Sequence, residues 1–192
     1  MRVSDMGIFT CMSVLMIGPA VAQSSHSASP VQAEPQIDYS GFVKLSAELE
    51  EYRNSRLVSL SRFQQIARQS GAIILDTRSA RAFAEGHIKG AINLPFSDFT
   101  EDKLASVIGE KSRPILIYCN NNFSDNRFPI ALKRAPLALN IPTFINLYGY
   151  GYKNIYELDG VMSVAEPQVR WTGHRFSLVS TPNFSEDEQR AN

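Results

Sequence analysis

Two unbroken apolar runs constrain the fold of this chain more than any other feature: Ala72-Ile73-Ile74-Leu75 and Ile115-Leu116-Ile117-Tyr118. Each is too short for a stable helix, and neither alternates apolar with polar residues as a half-exposed strand does. Such runs are expected of strands covered on both faces, the situation of inner strands in a parallel sheet. The segments around them fit that reading. Ser59 is a good helix cap, followed by Phe63, Ile66 and Ala67 on one helical face, with Gly71 as a stop. A short helical stretch follows at Ala80 to Ala84, then a turn at Glu85-Gly86-His87 and a second short strand at Ala91-Ile92-Asn93. A crossover helix is expected within Phe99 to Ile108. Leu57-Val58 and Asn154 to Leu158 supply two further strands, and apolar spacing predicts single helices over Phe42 to Tyr52 and from Ile141 to Gly149. Strands alternating with helices imply an α/β class with a mostly parallel sheet and helices on both faces.

The ends of the chain read differently. Met1 to Asp5 carries one charge of each sign, an apolar stretch runs from Gly7 to Ile17, and Ala20-Val21-Ala22 has the small-x-small form of a cleavage site. Residues 1–22 are therefore expected to be a secretory signal, too short to span a bilayer, and the mature protein to be secreted or periplasmic without a membrane span. Residues 23–41, rich in Ser, Pro, Gln and Ala, read as a flexible leader. The folded domain is expected over 42–160 and a C-terminal extension over 161–192.

The full chain of 192 residues carries 19 basic and 19 acidic side chains. A net charge of zero argues against nucleic acid as a partner, which would demand a basic surplus. Two cysteines and three histidines make a metal cage improbable. Neither a metal nor an organic cofactor is expected. Cleavage of the signal removes Cys11 and leaves Cys119 alone, so this thiol is buried and inert, paired with another chain, or reactive. Its place favours the third reading. It follows the second apolar run at the C-terminal end of a strand, where α/β sheets bind their ligands, and it opens the polar run Asn120-Asn121-Asn122-Phe123-Ser124-Asp125-Asn126, which is not expected to pack in a core.

Further residues carry a resemblance. Leu75-Asp76-Thr77-Arg78, Phe83, and Gly86-His87-Ile88-Lys89-Gly90-Ala91-Ile92-Asn93-Leu94-Pro95, followed by Ile115 to Cys119 and Gly151 to Gly160, resemble the rhodanese-like (sulfurtransferase) domain over about residues 55–160. The resemblance implies a three-layer α/β/α sandwich on a five-stranded parallel sheet. It implies that Cys119 is the nucleophile, taking sulfur from thiosulfate or another sulfane-sulfur compound as a persulfide and passing it to a thiol or protein acceptor. It also implies that His87 is a structural turn residue rather than a base. Asp76 and Arg78 are expected to pair or bond to backbone at a strand end. A free thiol with a pKa near 8.5 is only a few per cent ionised at neutral pH, so transfer requires a site that favours the thiolate. Inward-turned backbone N–H groups beside a helix N-terminus would do this. Asn120, Asn121, Asn122, Phe123 and Ser124 form the candidate substrate-binding loop, and Arg127 is the candidate anion holder.

The chain departs from the family at this loop. The family places a cation five positions after the cysteine, where Ser124 stands here, followed by Asp125. Asp125 also occupies the arginine position of a cysteine-dependent phosphatase, and its charge would repel phosphate. About twenty residues with Pro129 and Pro136 separate Cys119 from the next helix, where the family has almost none. This segment, Arg127 to Asn140, is expected to fold over the Cys119 loop as a lid or docking surface. The usual Gly-Gly and later Trp become Gly160-Val161 and a distant Trp171. A second reading of these departures is a rhodanese-like binding or thiol redox-sensing module without turnover.

Overall fold

The computed structural model describes residues 36–174. The expected signal at 1–22 with Cys11, most of the expected 23–41 leader, and residues 175–192 lie outside the described residues. Five short strands form one parallel sheet: β1 (Leu57–Val58), β2 (Ile73–Asp76), β4 (Ala91–Asn93), β5 (Ile115–Tyr118) and β6 (Ile155–Leu158). Their spatial order is β1-β6-β5-β2-β4. The registers Ile74↔Leu116 and Leu116↔Tyr156 place β5 at the centre, with Cys119 at its C-terminal end.

The unbroken apolar runs are explained by the two layers against which they pack. Ile74, Leu116, Tyr118 and Leu158 point to one face, where Phe63 and Ile66 of α3 (Leu60–Ala67) cover them. Ile73, Leu75, Ile115, Ile117 and Ile155 point to the other. That face is covered by Leu104 and Ile108 of α5 (Glu101–Ile108) and by Phe144 and Leu147 of α6 (Asn140–Gly149). Successive strand residues face opposite ways, so every position of β2 and β5 must be apolar or satisfied. Each fully buried Leu, Ile or Phe contributes about 1.5–3 kcal/mol of transfer free energy. The result is the expected three-layer α/β/α arrangement on a five-stranded parallel sheet.

Local signals act as the sequence suggests at several ends. The Ser59, Ser79 and Thr100 side chains accept the N–H groups of Arg62, Ala82 and Lys103, opening α3, α4 (Ala80–Glu85) and α5. Gly71 takes a left-handed φ of +81° in the turn into β2.

Three expectations are corrected. The helix expected over Phe42 to Tyr52 is two helices, α1 (Tyr39–Glu48) and α2 (Glu50–Asn54), because the chain turns at the buried Leu49. His87 is not in a turn: β3 (His87–Ile88) pairs antiparallel with β7 (Trp171–Thr172). The fold therefore does not end at residue 160. Val169 and Trp171 are buried in the same cluster as Phe63 and Tyr118, so residues 161–172 complete the α3 side of the core. Among the described residues no helix is long and apolar enough to cross a membrane.

Candidate active site

Cys119 leaves β5 with extended backbone, φ −142° and ψ −176°, and Asn120–Asn122 then make a single 3-10 turn. The thiol is 1% exposed, which corrects the expectation that it is not packed. Three backbone N–H groups face its sulfur: those of Asn140, Asn121 and Leu139. Asn140 is the first residue of α6 and Leu139 its cap, so two of the donors are unpaired N–H groups of a helix N-terminus. Burial is nonetheless the largest influence and pushes the thiol pKa up; the three N–H groups pull it down, Glu157 adds a smaller upward push, and the net direction is up. The site thus carries donors that favour a thiolate, while burial favours the neutral thiol.

The long connection runs beside the Cys119 loop, and its last residue, Leu139, turns its N–H toward the sulfur. Asn121 forms a reciprocal pair with the backbone of Lys133, its Nδ2 donating to the carbonyl at 2.7 Å and its Oδ1 accepting the N–H at 3.2 Å. Asn120 Nδ2 donates to the carbonyl of Ala131 at 2.9 Å. Leu132 N–H donates to Asn126 Oδ1 at 3.3 Å. Residues 127–139 therefore lie as a strap tied to the Cys119 loop, with one 3-10 turn at Ala135–Leu137 and a cis Phe128-Pro129 bond. A cavity of about 550 Å³ adjoins the strap, walled in part by Asn120, Ala131, Lys133 and Leu139. Cys119 is not among its lining residues.

The candidate loop residues are divided among separate tasks. Asn120 and Asn121 hold the strap. Asn122 and Phe123 are buried, contrary to a loop too polar for a core: the Phe123 ring stands edge-on to Trp171 with centroids 4.8 Å apart. Ser124 N–H bonds to Met162 O at 3.0 Å, and the Asp125 carboxylate accepts Val164 N–H at 2.9 Å and Ser163 Oγ–H at 3.3 Å. The stretch where the family's cation would stand is therefore a tether to residues 162–164. Arg127 is exposed and does not line the cavity; the strap cation that does is Lys133.

Beside the loop lies a buried polar cluster. Arg78, 3% exposed, forms a 2.5 Å ion pair with Asp76 Oδ2 and donates to the Gly86 carbonyl at 2.7 Å. It reaches Asn120 Oδ1 at 3.4 Å. Tyr118 O–H donates to Asp76 Oδ2 at 2.5 Å and accepts Ile88 N–H at 3.1 Å. Burial lowers the Arg78 pKa, but the hydrogen-bonded, oppositely charged Asp76 together with Tyr118 raises it, and the net direction is up. Burial and Asp76 push the Tyr118 hydroxyl well above its ordinary range, against the opposing pull of Arg78 and Ile88 N–H. The cluster holds the β2 end, the β3 entry and the β5 end as one rigid platform. Trp171 closes it, its ring 5.4 Å from the Arg78 guanidinium carbon. Gly86 makes room for that indole: a Cβ there would lie 2.9 Å from Trp171 Cε2. His87 is structural, its Nδ1 at 2.7 Å from Phe83 O and its ring stacked on Phe83.

Sequence reasoning passed over Tyr118, Asn140 and Trp171. Tyr118 reads as the last apolar residue of a strand, Asn140 as a loop residue, and Trp171 lies eighty residues or more from its partners Gly86 and Ile88.

Comparison with known proteins is consistent with this architecture. Two uncharacterised proteins of Buchnera aphidicola, from the Acyrthosiphon pisum and Schizaphis graminum subspecies, are 29% identical over 72 residues and 30% over 66. Those alignments cover 38% and 34% of this chain and 50% and 45% of the relatives, so the chain spans about half the length of the curated relatives it matches. Among solved structures, the rhodanese-like domain of the Alr3790 protein from Anabaena sp. is similar with a TM-score of 0.45 and 22% identity, covering 69% of this chain and 88% of that one. The BH2092 protein from Bacillus halodurans gives 0.42 and 20%, covering 62% and 76%. The rhodanese-like domain model itself matches residues 59–164, from the cap of α3 through the Asp125 tether, and the chain belongs to the rhodanese-like domain family.

Proposed function

We propose that this protein is an exported sulfurtransferase that carries sulfane sulfur as a persulfide on Cys119. The observation that carries the reading is the convergence of three backbone N–H groups on the sulfur at the end of the central strand. Such donors lower the energy of a thiolate or a persulfide anion without a base. In the first half-reaction the Cys119 thiolate attacks the outer sulfur of a donor such as thiosulfate. A new S–S bond forms to Cys119, the donor's S–S bond breaks, and sulfite leaves with the bonding pair. In the second, an acceptor thiolate or cyanide attacks the outer persulfide sulfur and the Cys119 thiolate departs. Either step requires the sulfur to become accessible, because Cys119 is buried, and movement of the strap tied to its loop is the route. Lys133, which lines the cavity beside the strap, offers the approaching donor the cation that is lacking at Ser124. Export follows from the signal reading of residues 1–22 and places the protein outside the cytoplasm.

The test is direct. Incubation with thiosulfate, polysulfide or mercaptopyruvate should add the mass of one sulfur atom to Cys119, and Cys119→Ser should abolish both this and thiocyanate formation from cyanide. The burial of the thiol favours one alternative, a thiol redox-sensing or binding module without turnover. Absence of a sulfur adduct with every donor, in protein whose strap has been loosened by Asn121→Ala, would establish it over the sulfurtransferase.

A further inference from the structure

Asn122 is 6% exposed, and every hydrogen-bonding position of its side chain is used. Its Oδ1 accepts Cys119 N–H at 2.9 Å and Asn140 Nδ2 at 3.1 Å. Its Nδ2 donates to Leu158 O at 2.8 Å and to Gly160 O at 3.2 Å. One planar amide thus joins the nucleophile's own backbone, the first residue of α6, the last residue of β6 and the turn after it. We infer that Asn122 is a positioning residue for Cys119: by holding Cys119 and Asn140 on a single oxygen, it keeps the start of α6 aimed at the sulfur. The inference deepens the sulfurtransferase reading and rests on Cys119 being the carrier.

The chemistry of the position admits no close substitute. Two acceptor sites and two donors at that reach are supplied by asparagine alone. Aspartate would leave the Leu158 and Gly160 carbonyls without donors and set a negative charge one turn from the sulfur. Leucine would take the partner from three buried residues, Cys119, Asn140 and Leu158, and from the exposed Gly160 carbonyl. The role also follows from the connectivity. Twenty residues of chain separate Cys119 from Asn140, and the strap between them is tied to the loop by exposed bonds. Without a direct link the α6 N-terminus would hold its distance from the sulfur only through packing. N–H donors at a helix terminus act over a short range, within the first turn, so a small displacement removes much of their effect.

The test reads the thiol without any sulfur donor, so it is independent of whether the protein transfers sulfur. The full chain carrying Cys11→Ser and 13Cβ-labelled cysteine is titrated by NMR, which reports the ionisation of Cys119 in the folded state. Asn122→Ala is expected to raise the Cys119 inflection by about one pH unit, a tenfold smaller thiolate fraction at any lower pH. Asn140→Ala removes only the bond between the two asparagines, leaves the other three of Asn122 in place, and should raise the inflection in the same direction by a smaller amount. It decides the matter if Asn122→Ala does not fold. A folded variant whose stability falls while its inflection stays or moves down would overturn the inference and leave Asn122 a structural residue. Sulfur uptake by the unaltered protein together with an unmoved inflection would defeat the positioning role alone. A shifted inflection in a protein that takes up no sulfur would defeat the carrier role alone.

Discussion

Removing the Asn121 side chain should expose Cys119 without unfolding the domain. Asn121→Ala deletes the reciprocal pair with Lys133, two hydrogen bonds of 2.7 and 3.2 Å at the protein surface. Net values for such bonds lie at the lower end of about 0.5–1.5 kcal/mol each. Their joint loss then weakens the closed strap by about 1–2 kcal/mol, which multiplies the open population by roughly 5–30 at 25 °C. When closing is faster than reaction, labelling of a covered group follows that population. Iodoacetamide at pH 8 with peptide mapping of Cys119 should therefore react 5–30 times faster with Asn121→Ala than with the unaltered protein, by the same arithmetic. The labelling rate of both proteins should depend only weakly on urea below the unfolding transition, since residues 131–137 are already exposed and lifting them, with Ile130 left in the core, uncovers little surface. Two results would refute the reasoning. One is an unchanged rate in the variant. The other is a rate that climbs with urea as steeply as global unfolding does, which would mean that the thiol is reached only when the domain melts.

Two further outcomes follow from the same structure. Gly86→Ala drives a methyl group into the Trp171 indole and should cost about 1–3 kcal/mol as an overpacked core does, lowering the thermal midpoint by several degrees and altering the fluorescence of this single tryptophan; an unchanged midpoint would show that β7 is not held against Gly86. The second concerns alkaline pH. The Cys119 thiol has its pKa raised in the folded state, so the unfolded chain loses that proton first, and stability is complete below the ordinary cysteine pKa of about 8.5 and declines as pH rises from there through the folded value. Urea titrations between pH 7 and 10 should show this decline, and Cys119→Ala should flatten it; an equal slope in the variant would assign the alkaline loss to the tyrosines instead.

The division between what is legible in the sequence and what is not follows the range of the interactions. Apolar runs such as Ile115 to Tyr118 and caps such as Ser59 and Thr100 carry their own signal, because burial of a strand and satisfaction of a helix end are settled within a few residues. Those signals suffice for the strands, their parallel class and the position of Cys119. Asp76 and Arg78 are two residues apart, and their pairing is legible for the same reason. Tyr118 is half legible: its place in the strand is apparent, but the need of its hydroxyl for Asp76 depends on the neighbouring strand. Trp171 and the β3–β7 pair are not legible, since two-residue strands have no period and their register spans more than eighty residues.

The strap is the instructive case, because its path occupies the loop amides and brings main-chain donors to the thiol. From sequence, Asn120 and Asn121 are candidate donors to a substrate anion, an assignment that holds only if nothing else takes their amides. The backbone of Ala131 and Lys133 takes them, through bonds between a side chain and a main chain eleven and twelve residues on, which no side-chain pattern announces. The donors that do face the sulfur are main-chain N–H groups of Asn121, Leu139 and Asn140, and any residue but proline supplies such a group. Identity at those positions is therefore silent about the function of the backbone. The same strap that leads the chain to the start of α6, and so brings two of these donors to Cys119, is also tied to the loop that carries the buried sulfur. If lifting it at residues 131–133 uncovers Cys119 while Asn122 keeps Asn140 in place, desolvation falls and the donors stay. That outcome would favour the thiolate through the main-chain donors alone, with no base and no cation at position 124.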